Sequence, residues 1–392
     1  MSNHIMPTYG RLAVTFTKGE GAWLWDQNNT RYLDALSGIA VCNLGHAHPA
    51  IHKTICAQSQ QLLHTSNLYH IPQQEELATK LCTLSGMDNV FFSNSGAEAN
   101  EAAIKIARLY GKQKGIANPA IIVMDNSFHG RTMATLSATG NPKVQEGFTP
   151  LLEGFIRVPF DDIAAIEAAL KQHDTIAAIL VEPIQGESGV NIPAPDYLNK
   201  IRALADQHDI LMMLDEVQTG IARTGAWFAF QHNQIIPDVC TLAKALGNGV
   251  PIGACMAKGK ASEMLTAGKH GSTYGGSPLV CSVALTVLDI IEKENLCQQA
   301  SDKGAAINKA LTEQLKNNPA VVDVRNKGMM IAIELDQTCT ELVALAVEAG
   351  LLINVAGDKN IRLLPPLIIN NEQIELLVNT LCNLIEHHTQ QK

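Results

Sequence analysis

Three short stretches without a single charge, AIIVM at 120–124, IAAILV at 176–181 and ILMML at 210–214, are each followed at once by polar residues. Runs this short are far below the length of a membrane span. They suit strands buried on both faces, as in a parallel sheet. NVFFS at 89–93 has the same character. Between the runs lie AEANEAAIKIARLYG, DDIAAIEAALKQH and APDYLNKIRALADQH, in which apolar residues recur at helical spacing. This alternation predicts an α/β fold with a mostly parallel, doubly wound sheet covered by helices on both sides. In such sheets ligands bind beyond the carboxyl ends of the strands.

The texture changes near residue 276. PLVCSVALTVLDIIEKENL reads as a long helix, AVVDVRNKGMMIAIEL as two strands, GLLINVA as one strand, and the chain from about Asn371 as a final helix. Near the other end, GAWLWDQNNTRYLDAL resembles a hairpin turning at QNNT. We expect a large domain over 45–275 and a smaller α+β domain built from both termini, 1–44 and 276–392.

Composition removes several classes of function. The net charge is −9 over 392 residues, which gives no support to a nucleic-acid surface. Nine cysteines are scattered without a CxxC pair, a usage that fits reduced thiols and a cytoplasmic setting. The N-terminus has no basic region followed by an apolar run, and no stretch is long enough to anchor in a membrane. GHAHP at 45–49 with His52 invites a metal reading, but no further ligands at zinc spacing are evident, so no metal is expected. GNGVPIG misses the dinucleotide fingerprint by one residue.

Four polar clusters fall at the ends of strand-like runs or close after them. Ser95, Gly96 and Ala97 would open a helix, where backbone N–H groups suit a phosphate, although a plain Ser/Gly cap is equally consistent. Phe128 could stack on a flat ring and Arg131 could fork onto a carboxylate, unless both belong to an ordinary exposed loop. Asp215 ends an apolar run, where a carboxylate is costly without a partner; a protonated ring nitrogen or a metal would serve, and so would a turn. Lys244 lies in the otherwise uncharged stretch TLAKALGNGVPIG, either snorkelling to solvent or held as a desolvated, nucleophilic amine. Beyond these four, Ser272 and Thr273 sit among glycines in HGSTYGG and could touch a phosphate, unless this is a plain loop between domains.

A phosphate, a flat pyridine and an aldehyde that condenses with lysine occur together in pyridoxal 5′-phosphate. The chain resembles the class III (fold type I) pyridoxal-phosphate aminotransferases over nearly its whole length, and within them the acetylornithine aminotransferases. The resemblance is carried by GEGAWLWD, LDALSGIAV, LGHAHP, SNSGAEANE, SFHGRT, VEPIQGE, LDEVQTGIARTG, TLAKALGNGVPIGA, HGSTYGG and IRLLPPL, in that order. It implies that Lys244 holds the cofactor aldehyde and shuttles a proton, and that Asp215 keeps the ring nitrogen protonated. It implies further that Gln218 bonds the ring oxygen, that Val217 and Phe128 cover the two ring faces, and that Ser95, Gly96 and Ala97 cradle the phosphate. Glu182 is implied as a supporting carboxylate. Thr273 would reach the phosphate of a neighbouring subunit, which implies a homodimer with shared active sites.

The resemblance also implies how two substrates are sorted. An ω-aminotransferase accepts a terminal amine in one half-reaction and the α-amine of glutamate in the other, so the substrate carboxylates fall at different distances from the aldehyde. Arg131 matches the distal arginine for the ornithine derivative, Arg362 the proximal arginine for glutamate or 2-oxoglutarate, and Glu187 the carboxylate that masks Arg362. Ser272 and Tyr9 match substrate-side positions. Ile39 stands where ornithine δ-aminotransferases carry a tyrosine, and an apolar residue there suits an acylated nitrogen. The expected reaction is transfer of the δ-amino group of N2-acetylornithine to 2-oxoglutarate, in arginine biosynthesis. The alternatives are an ω-aminotransferase for ornithine, succinylornithine, succinyl-diaminopimelate or 4-aminobutyrate, a non-catalytic binding protein that reuses the fold, and, without its fingerprint, a nicotinamide dehydrogenase.

Overall fold

The computed structural model describes residues 4–390. Its strands are β1 (Phe16–Glu20), β2 (Trp23–Asp26), β3 (Arg31–Asp34), β4 (Asn89–Ser93), β5 (Ala120–Met124), β6 (Phe155–Val158), β7 (Ile176–Val181), β8 (Leu211–Asp215), β9 (Val239–Leu242), β10 (Gly253–Ala257), β11 (Val321–Lys327), β12 (Met330–Leu335), β13 (Leu351–Leu352), β14 (Asn354–Ala356) and β15 (Asn360–Leu363). They form three sheets.

The seven-stranded sheet has the order β4-β10-β9-β8-β7-β5-β6. Only β10 runs antiparallel to its neighbours, so the other six strands point one way. The central strands β5, β7 and β8 are buried along their whole length, which explains why they read as unbroken apolar runs rather than alternating ones. Helix Gly96–Gln113 lies on this sheet with Ala99, Ala102, Ala103, Ala107 and Tyr110 buried. Small alanines let its axis approach the strands closely.

β10 does not stand out in the sequence. GACMA lacks the β-branched and aromatic residues that mark strands. Its conformation is imposed by β4 and β9, which flank it on both sides. GLLINVA is not one strand but two. β13 pairs in parallel with β3, while β14 turns onto β15 in a different sheet. Ile353, buried between them, marks the switch.

β2 and β3 form the hairpin expected around QNNT, and β1 and β13 extend it on either side. That pairing ties the N-terminal segment to the C-terminal part of the chain. The third sheet has the order β11-β12-β15-β14 and places Arg362 on β15. No helix among the described residues is long and apolar enough to cross a membrane.

Helix Leu296–Leu315 packs onto the β11–β12 turn so tightly that a Cβ on Gly304 would lie 1.9 Å from the Gly328 carbonyl oxygen. Gly304→Ala is expected to destabilise the fold by about 1–3 kcal/mol, the usual cost of overpacking, read as a lowered thermal midpoint. An unchanged midpoint would contradict this packing.

Candidate active site

A cavity of about 420 Å³ opens at the carboxyl ends of the parallel strands. Its wall combines residues that follow β4, β5, β7, β8 and β9. This is where an open parallel sheet leaves backbone groups and side chains free to meet a ligand.

β8 delivers Asp215 into the interior. Its Oδ2 accepts a hydrogen bond from Asn100 Nδ2 at 2.7 Å and meets His129 Nδ1 at 2.8 Å, while Oδ1 accepts from the Val217 N–H at 3.1 Å. Asn100 is itself fixed, donating to the His129 carbonyl and accepting from Thr241 Oγ1. Glu216 turns the other way and accepts the Ala229 and Phe230 N–H groups, so only Asp215 of the acidic pair faces the cavity.

Lys244 follows β9, the strand beside β8, with Asp215 opposite Thr241 in the ladder. Lys244 has φ of 45°, a left-handed conformation uncommon for a side chain of this kind. It lines the cavity and forms no ion pair among the described residues. Burial lowers the pKa of its amine, partly countered by the nearby charge of Glu187.

Ser95 caps helix Gly96–Gln113 by accepting the Glu98 N–H through Oγ at 3.2 Å. Gly96 and Ala97 thereby present their N–H groups at the positive end of the helix dipole. A Cβ on Gly96 would stand 2.7 Å from Val217 Cγ1, so the cradle admits no larger residue without moving the cavity wall. Phe128 and Val217 both line the cavity, and the Arg131 guanidinium lies 5.7 Å from the centre of the Phe128 ring. Glu182 accepts the Phe128 and Gly186 N–H groups. Burial pushes its carboxyl up to about 7 against the opposing influence of His129.

At the mouth towards β15, Arg362 and Glu187 form a fork, Nη1 to Oε1 at 2.8 Å and Nη2 to Oε2 at 3.3 Å. Gln218 donates to the same Glu187 oxygen at 3.0 Å. Arg362 is also held by the Gly186 carbonyl and by Asn354 Oδ1. Burial would raise the Glu187 carboxyl, but the charge and hydrogen bonds of Arg362 outweigh it and hold it below its usual value.

One family model, Aminotransferase class-III, matches residues 5–385. The chain belongs to the class-III aminotransferases. It is 55% identical to the acetylornithine aminotransferase of Nitrosomonas europaea over 98% of both chains. Among solved structures it is similar to the ornithine aminotransferase of Toxoplasma gondii, with a TM-score of 0.96 and 33% identity over 99% of this chain and 94% of that one. It is also similar to the acetylornithine aminotransferase of Elizabethkingia anophelis, with a TM-score of 0.88 and 36% identity over 98% and 96%.

The cofactor of this aminotransferase is pyridoxal phosphate, and the donor set suits it. A helix N-terminus whose Gly96 fits closely against Val217, a buried carboxylate with a free lone pair on Oδ1, and a desolvated amine match a phosphate, a ring nitrogen and an aldehyde. The structure brings together Ser95, Gly96, Ala97, Phe128, Arg131, Glu182, Glu187, Asp215, Val217, Gln218 and Lys244 around one cavity, with Arg362 bonded to its wall. It does not bring the remaining four to that wall. Ser272 bonds Asn94, which lines the cavity, but Thr273 is exposed beside it. Tyr9 is 76% exposed. Ile39 packs against a small apolar cluster with Ile184 and Val190. His129, Asn100 and Thr241 were not singled out in the sequence. All three stand inside quoted stretches, His129 in SFHGRT, Asn100 in SNSGAEANE and Thr241 at the start of TLAKALGNGVPIGA, but only the fold brings them to Asp215.

Gly96→Ala is expected to leave the helix intact and to push Val217 into the cavity. Pyridoxal-phosphate affinity should fall about tenfold, measured by titrating the apo-protein spectroscopically. Unchanged affinity would count against the proposed cradle.

Proposed function

We propose that the enzyme transfers the δ-amino group of N2-acetyl-L-ornithine to 2-oxoglutarate. The observation that carries this reading is the Glu187–Arg362 fork at the cavity, with Arg131 on the same cavity's wall and in no ion pair among the described residues. Arg131 takes the α-carboxylate of the donor, at a distance set by the length of its side chain. Arg362 takes the α-carboxylate of glutamate or 2-oxoglutarate once Glu187 turns aside. With Glu187 in place, an ordinary α-amino acid meets a neutralised arginine and binds poorly. The naming of relatives favours the acetylated donor, and the apolar Ile39 accords with an uncharged acylated nitrogen. The high structural likeness to an ornithine aminotransferase keeps free ornithine as the rival donor.

When bound, pyridoxal phosphate supplies an aldehyde that takes up and returns the amino group and a ring that accepts electrons. In this reading the Gly96 and Ala97 N–H groups hold the phosphate, and the Asp215 carboxylate keeps the proton on the ring nitrogen. His129 and Asn100 fix that carboxylate in place. Phe128 and Val217 confine the ring and exclude water. Lys244 Nζ, whose pKa burial lowers, would hold the cofactor aldehyde at rest and would carry the proton between the substrate carbon that bears the amino group and the cofactor's aldehyde carbon.

The loop around Thr273 turns outward, tied by Asn67 to the Ser272 and Gly275 carbonyls. Leu68, Tyr69 and Tyr274 stand beside it, 87%, 69% and 66% exposed. Such an apolar patch next to a phosphate-binding candidate supports a homodimer in which Thr273 serves the neighbouring site, with Ser272 and Tyr9 completing the substrate pocket. The division into a large domain over 45–275 and a small one from 1–44 and 276–392 belongs to the same reading, as does a cytoplasmic setting.

The test is a comparison of donors with 2-oxoglutarate as acceptor. N2-acetylornithine should exceed free ornithine in kcat/KM by at least about tenfold, because free ornithine brings a second charged amine into an apolar region. A preference for free ornithine would overturn the proposed donor.

A further inference from the structure

The Glu187–Arg362 fork needs more than two side chains of the right charge. Each partner comes from a different part of the chain, Glu187 from the loop after β7 and Arg362 from β15. Something must hold that loop against that strand.

In the C-terminal sheet Arg325 of β11 stands opposite Ala332 of β12, and Ala332 stands opposite Arg362 of β15. Directly paired residues share a face, so the two arginines flank a small, fully buried alanine in one row across three strands. The loop 185–191 lies over this row. At one end Arg362 Nη1 donates to the Gly186 carbonyl at 2.8 Å. At the other end Arg325 donates through Nε to the Val190 carbonyl at 3.0 Å and through Nη2 to the Gly189 carbonyl at 2.7 Å. Its Nη2 also reaches Asn360 Oδ1 at 2.6 Å, on the strand that carries Arg362. Asp323 and Glu334 hold its Nη1 at 3.0 and 2.7 Å. A single guanidinium thus bonds the Glu187 loop and the Arg362 strand at once.

The loop itself is strained and close-fitting. Val190 has φ of 55°, rare for a β-branched residue, and its side chain is buried in the cluster that includes Ala332. A Cβ on Gly189 would fall 2.7 Å from Asn360 Cγ. The Gln185–Asn191 bridge and the Ser188 hydroxyl close the loop on itself. Backbone held this way persists only where its surroundings fix it.

We propose that Arg325 is a positioning residue for donor selection, clamping the Gly189–Val190 backbone so that Glu187 meets Arg362 in register and only its side chain moves. The inference rests on Glu187 masking Arg362.

The experiment is a double-mutant cycle on the holoenzyme, read as the ratio of half-reaction efficiencies for N2-acetylornithine and L-glutamate. Glu187→Ala should lower that ratio by favouring glutamate. Arg325→Met should lower it roughly fivefold in the wild-type background, a size usual for residues that modulate a coupling without touching a ligand. In the Glu187→Ala background Arg325→Met should change it by less than about twofold, because the clamp acts through Glu187. Arg325→Lys, which keeps the charge but loses the planar fork, should behave as Arg325→Met does and replaces it if that variant does not fold. If Glu187→Ala shifts the ratio but the Arg325 variants do not, or shift it equally in both backgrounds, the clamp is overturned while the masking reading stands. If Glu187→Ala leaves the ratio unchanged, masking fails and the clamp falls with it. A lowered thermal midpoint with an unaltered ratio also overturns it, since that is the signature of a merely structural residue.

Discussion

An anionic carboxylate and a basic amine are kept out of water at the ends of neighbouring strands, and the rest of the site is arranged around them. Asp215 is tolerated in the interior because two N–H donors and the His129 ring nitrogen reach it. Lys244 is tolerated because burial draws its amine towards neutrality. A hydrophobic pair of similar size would cost the fold less. The proposed chemistry accounts for that cost: one end of an aromatic cofactor would need a lasting charge, and the other an amine that can lose its proton.

Around that axis the site separates binding from discrimination. The large sheet supplies the fixed parts of the wall, the helix cap at Ser95, Phe128 and Val217, and Asp215 and Lys244. The C-terminal sheet supplies Arg362, which the Glu187 carboxylate covers in this structure and, in the proposed reading, would uncover for the second substrate. An arginine fixed on a strand by the Gly186 carbonyl and Asn354 moves little, so the switch resides in the glutamate. This arrangement lets one cavity serve two carboxylates at different distances without two rigid pockets.

Much of this is legible in the sequence because the fold repeats one rule. A buried parallel strand reads as an apolar run, and the polar residues right after it lie at the ligand-binding edge, which is how Ser95, Asp215 and Lys244 stand out. The rule fails where a residue's role depends on non-local pairing. β10 is spelled by Gly, Ala, Cys and Met and becomes a strand because two others enclose it. Asn100 bonds Asp215 across 115 positions, and although it stands inside SNSGAEANE, only the packing of its helix on the sheet shows that it faces Asp215. Arg325 looks like a surface charge on an edge strand until β12 and β15 place it in line with Arg362. Tyr9, Ile39 and Thr273 are read through a family likeness, and a single chain leaves them outside the cavity wall.

The account stands on one covalent tether at one shielded amine. Borohydride reduction of the purified protein with bound pyridoxal phosphate, followed by peptide mapping, tests it most directly. The account predicts a single stable adduct on Lys244 with loss of the yellow colour. An adduct on another lysine, or no adduct with the colour unchanged, would contradict it.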